Sequence, residues 1–220
     1  VERTMDSQLD ELKRLILVMG GYVERALSEA SQALISRNSE SFAQVHVIEK
    51  KINEGHIAVD NACLAVLAKQ GPVAKDLRLI LSIVKINTDL ERMGDQCVNI
   101  AYSGKDYLSR KPLPQVSDVI RMTELTRAMV KESLDCFVRG DVALAKKILL
   151  MDDEVDGLKN KVFTDSLGHI KTSSSDVEAC LDLILVARNL ERLGDHATNI
   201  AEDVIFACTG KDVRHGGKYT

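Results

Sequence analysis

The chain carries the phrase LERMGDQCVNIA at Leu90 to Ala101 and again, as LERLGDHATNIA, at Leu190 to Ala201, with eight of the twelve positions identical. A repeat of this kind implies one structural unit built twice. It extends beyond the quoted phrase. Asn38 to Glu49 and Asp141 to Asp152 each span 11 residues, and Met19 matches Met122 at an offset of 103. From Asp76 and Asp176 onward the offset is 100, so one loop of the second half is three residues shorter.

The period inside each copy is helical. Leu79, Ile83, Ile86, Leu90, Met93, Cys97, Ile100 and Ala101 recur at three- and four-residue steps, and strand-like alternation is absent. The three prolines, Pro72, Pro112 and Pro114, fall in the breakers KQGP and SRKPLPQ. The pattern predicts six long helices over 4–36, 39–69, 73–109, 115–139, 141–171 and 174–209. Asn38, Asp141 and Ser175 are candidate N-caps, and Pro72 suits the first turn of the third helix. Long helices joined by short loops run antiparallel. The expected fold is all-α: two tandem, pseudo-symmetric three-helix bundles, residues 1–110 and 115–220.

Composition removes several function classes. Apolar residues are 45% and charged residues 28%, with a net charge of −4, so no basic nucleic-acid face or polybasic membrane patch is expected. No run of about 18 apolar residues suggests a membrane span. The opening VERTMDSQLDELK lacks the apolar segment of a secretory signal. The five cysteines are far apart without a CxxC pair, as expected for reduced, mostly buried thiols of a cytoplasmic protein. With no Trp and 4% aromatics, stacking platforms for bases or flavins are not expected.

The repeated phrase also carries chemistry. Glu91, Asp95 and Asn99 lie four residues apart, and Glu191, Asp195 and Asn199 repeat the row. At about 100° per residue each set makes one stripe beside the apolar one, so the acids should flank the bundle seam. Like charges at this spacing repel. Arg92, Arg192 and Arg188 are the cations within helical reach of Asp95, Asp195 and Glu191. A second pair sits on the middle helix of each half: Glu49 with Asn53, and Asp152 with Asp156. Middle and last helices pack together, so the pairs of one half should converge.

Clustered carboxylates suit oxygen-loving cations such as Mg, Ca, Mn or iron, and bridging carboxylates would suit a multinuclear cluster. The candidate metal residues are therefore Glu49, Asn53, Glu91, Asp95, Asp152, Asp156, Glu191 and Asp195. Asn53 weakens the first set, although His56 and Asp60 continue its stripe. Hard cations should favour the second set, which has one more carboxylate. Gly94 and Gly194, each inside a helix, make room for another backbone or for ions. His196 reads as a seam or surface histidine.

Other centres are not marked. There is no Walker loop or GxGxxG, no Glu-x-x-His of the ferritin-like di-iron type, and no close Cys/His spacing for zinc. Three classes remain: an interaction module without catalytic activity, a carboxylate-bridged metalloenzyme, and a purely structural bundle.

The phrases DLERMGDQCVNIA and NLERLGDHATNIA, together with GPVAKDLRLILSIVKI, LILVMGGYVERAL and the tail GKDVRHG, resemble the signature of the PhoU family, negative regulators of the bacterial phosphate regulon. The resemblance spans nearly the whole chain. It implies two three-helix bundles, usually a homodimer, and no enzymatic activity. It further implies a cytoplasmic adaptor between the ATPase subunit of the phosphate ABC transporter and the phosphate-sensing histidine kinase. Some members hold iron or other metal clusters at the acidic pairs. Those pairs map onto Glu91/Asp95 and Glu191/Asp195, and onto Glu49/Asn53 and Asp152/Asp156.

Overall fold

Each apolar stripe buries on its neighbours in a six-helix arrangement, seen in a computed structural model that describes residues 4–213. The helices are α1 (Thr4–Ser36), α2 (Ser41–Gln70), α3 (Ala74–Leu108), α4 (Val116–Arg139), α5 (Val142–Thr172) and α6 (Val177–Thr209). No strand occurs among the described residues. The tail beyond Val213, with the whole RHG of the GKDVRHG motif and so His215, lies outside them.

Helices α1, α2 and α3 pack on one another, and α4, α5 and α6 repeat the arrangement. The two bundles meet through α3 against α6, the most extensive helix pair, and through α1 against α4. One continuous apolar core therefore runs through both halves, from Ile16 and Ile52 through Leu90 and Leu190 to Val155. Gly20 permits part of the α1–α4 contact, because a Cβ there would lie 2.6 Å from the Leu134 methyls.

The breaks follow local chemistry, with some corrections to the expected boundaries. Asp141 caps α5 as expected, its carboxylate accepting from the N–H groups of Ala143 and Leu144 at 3.0 Å each. Asn38 does not cap α2. Its side chain accepts from Glu40 N–H, and the helix starts only at Ser41, because Arg37 takes a left-handed conformation and Asn38 finishes the turn. Ser175 does not cap α6 either. It sits in a single 3₁₀ turn, Ser174–Asp176, and donates to the Asp176 carboxylate. Pro72 precedes α3 by two residues instead of occupying its first turn.

The proline-containing linker is tied to both halves. Arg110 reaches Asp182 and Glu178 of α6, Arg37 donates to the carbonyls of Leu108 and Arg110, and the Tyr107 hydroxyl accepts from Leu113 N–H. Cys63, Cys97, Cys136 and Cys180 are buried free thiols, and Cys208 is exposed. Burial pushes the Cys97 thiol up to about 12, which keeps it protonated and unreactive.

Candidate functional site

The acidic rows flank the seam. Glu91 and Glu191 are half-buried, whereas Asp95, Asp195, Asn99 and Asn199 face solvent. In the second half the rows of α5 and α6 converge. Asp152 points at Gly194, where a Cβ would lie 3.2 Å from Oδ1 of Asp152, so this glycine accommodates a carboxylate and not a backbone. That oxygen is buried and has no hydrogen-bond partner. Burial, and then the charges of Asp195, Asp156, Glu191 and Asp153, push the Asp152 carboxyl from its ordinary 3.8 up to about 6. Asp195 is also raised, by burial and then by Glu191 and Asp156, with His196 and Lys159 opposing.

Lys159 is the residue that sequence reasoning missed. Its ammonium donates to Asp156 Oδ1 at 3.0 Å and to Glu191 Oε1 at 2.7 Å, joining the two rows. The bond to Glu191, then that to Asp156, hold the ammonium above its ordinary range. The signal was present, since Lys159 follows Asp156 by three residues. The expected cations do not serve: among the described residues Arg188, Arg192 and Arg92 form no ion pair with Glu191, Asp195 or Asp95.

The first half is built differently. The Asn53 amide donates to Glu49 on its own helix. Gly94 faces Ile52, whose Cδ1 would lie 3.1 Å from a Cβ there, so this glycine serves packing alone. His56 and Asp60 do not extend a carboxylate cluster. Asp60 accepts from Asn87 of α3 at 2.9 Å, and His56 lies 3.5 Å from Asp60. At the offset of 103, His56 stands where the second half has Lys159.

Among the described residues no three of His, Cys, Asp or Glu stand close enough to hold a metal ion. The donor chemistry explains why. Lys159 already neutralises two of the four second-half carboxylates, and Asn53 occupies Glu49 in the first. The residues as arranged do not fit a resident multinuclear cluster. His196 is a seam residue, as its place on the helix suggested: its Nδ1 lies 2.7 Å from Asp89 Oδ1 across α3, and both are 14% exposed. Lys85 crosses the same seam to Asp203 at 2.9 Å.

Fold and site together define a duplicated all-α bundle with acidic rows on two equivalent, mutually packed helices. The PhoU domain model matches this chain at residues 16–103 and again at 119–204. The chain belongs to the PhoU family. It is 37% identical to the phosphate-specific transport system accessory protein PhoU homolog of Zymomonas mobilis, over 96% of this chain and 89% of that one. It is 30% identical to PhoU of Escherichia coli, over 96% of this chain and 88% of that protein. The crystal structure of PhoU from Pseudomonas aeruginosa superposes with a TM-score of 0.91 at 33% identity, covering 94% of this chain and 100% of that one. The phosphate transport system regulatory protein PhoU of Streptococcus pneumoniae gives 0.88 at 28% identity, over 96% and 99% of the two chains.

Proposed function

We propose that the protein is a negative regulator of the phosphate regulon and of phosphate uptake. It acts as a cytoplasmic adaptor between the ATPase subunit of the phosphate ABC transporter and the phosphate-sensing histidine kinase, by docking and not by catalysis. The observation that carries this reading is the family match in both repeats, at residues 16–103 and 119–204, to a family whose curated members are named phosphate-specific transport accessory proteins. The architecture supports it. Two equivalent acidic faces on one rigid core offer two docking surfaces of similar shape and different detail, Lys159 marking one and His56 the other. Among the described residues no helix is long and apolar enough to cross a membrane. Side chains such as Phe163, Leu181 and Leu185, each 43 to 50% exposed, are available for pairing in a homodimer.

The test is a deletion strain grown with ample phosphate. The proposal expects the regulon to stay switched on, and expects repression to return with the intact gene. Normal repression in the deletion strain would overturn it.

A further inference from the structure

The seam between the two repeats carries a feature that neither the acidic rows nor the adaptor reading uses. Asp89 pairs with His196, and Lys85 with Asp203. Residue numbers rise along α3 as they fall along α6, so the helices run antiparallel and cross with the two repeated phrases side by side. The crossing lies on the pseudo-twofold relation of the halves and brings equivalent residues to one place. Arg92 and Arg192, with Gln96 and His196, line one open groove there. Both arginines are exposed. Each has an aspartate three residues on, yet neither forms an ion pair among the described residues.

We propose that this groove is an oxyanion site in which Arg92 and Arg192 together hold a free phosphate ion. A guanidinium presents a planar fork of N–H donors that matches two oxygens of a phosphate, and its charge persists at any physiological pH. Two such forks on one groove suit a tetrahedral anion better than a flat monocarboxylate. Asn199 and His196 are held at Asp89 Oδ1 at 3.1 and 2.7 Å, which engages the α3 carboxylate nearest the groove. Asp195 is the one carboxylate lining the groove. Two guanidinium groups thus share the groove with Asp195, while Asp89 beside it is engaged by His196 and Asn199. Gene duplication explains the geometry: a single repeat supplies one arginine, and only the antiparallel crossing of α3 and α6 supplies the pair.

The experiment is equilibrium dialysis of the full chain against radiolabelled inorganic phosphate, with ionic strength held constant by chloride. It needs no partner protein, so its outcome is independent of the adaptor reading. Saturable binding of one phosphate per chain is expected. Arg92→Gln and Arg192→Gln should each weaken it by roughly tenfold or more, the effect of losing charge-assisted hydrogen bonds. Arg121→Gln, which removes a surface arginine paired with Glu154 instead, should leave it unchanged. Circular dichroism melts of the three variants check that each is folded. Absence of saturable binding in the wild type at tens of millimolar phosphate would overturn the proposal. So would equal weakening by all three substitutions, which would mark a response to net charge alone.

Discussion

Asp152→Asn isolates the physical cost of gathering four carboxylates around Gly194. The native carboxyl is raised from 3.8 to about 6, first by burial and then by its acidic neighbours. A raised acid favours the protonated form in the folded state. Its contribution to stability is therefore fully present below about 3.8, and is lost as pH rises through about 6. Each pH unit between those values corresponds to about 1.4 kcal/mol, giving about 3 kcal/mol at full weight. Screening by solvent in this partly open cluster reduces that to about 1–2 kcal/mol. Asparagine has the same shape, fits the 3.2 Å approach to Gly194, and carries no charge. The substitution should therefore stabilise the protein at pH 8 by about 1–2 kcal/mol and leave it nearly unchanged at pH 4. Urea unfolding of wild type and variant at the two pH values measures this. A variant less stable than wild type at pH 8, or a difference independent of pH, would refute the electrostatic account of the cluster.

Two glycine substitutions separate helix propensity from packing. Gly21→Ala meets nothing within 4 Å and should stabilise α1 by up to about 1 kcal/mol, read as a higher melting temperature. Gly104→Ala would place a Cβ 2.5 Å from Phe42 Cζ, so overpacking of about 1–3 kcal/mol should outweigh the same gain and lower it. Equal shifts in the two variants would contradict this. Lys159→Met removes the ammonium that occupies Asp156 and Glu191, so calorimetric titration with Mn should show affinity for the second half rising by roughly tenfold or more. In that background Asp195→Ala should reduce Mn binding more than Asp95→Ala, and unchanged affinity in Lys159→Met would sink the idea that the lysine blocks the site.

Much of the architecture was legible because its signals are local. Apolar steps of three and four, the proline breakers and the Asp141 carboxylate beside free helical N–H groups act within one turn of chain. The starts of α2 and α6 were read two and three residues early because Arg37–Asn38 and Ser174–Asp176 spend those residues in turns that also bond Asn38 and Ser175. The site was half legible. The acids of α5 and α6 converge as their spacing implied, but Glu191 was matched with Arg188 on its own helix, while its cation comes from α5. Gly94 and Gly194 occupy identical sequence phrases and yet face Ile52 and Asp152, a difference set by the neighbouring helix. The Arg92–Arg192 groove depends on the register of α3 on α6, which no single repeat encodes.

An adaptor must bind both of its partners. The most direct measurement is surface plasmon resonance with the purified full chain immobilised, and the transporter's ATPase subunit and the kinase's cytoplasmic region passed over it in turn. The account predicts saturable binding of both, weakened by charge-neutralising substitutions at Asp95 and Asp195 on the acidic faces. Failure of either partner to bind, with the protein folded and the partner active, would contradict it.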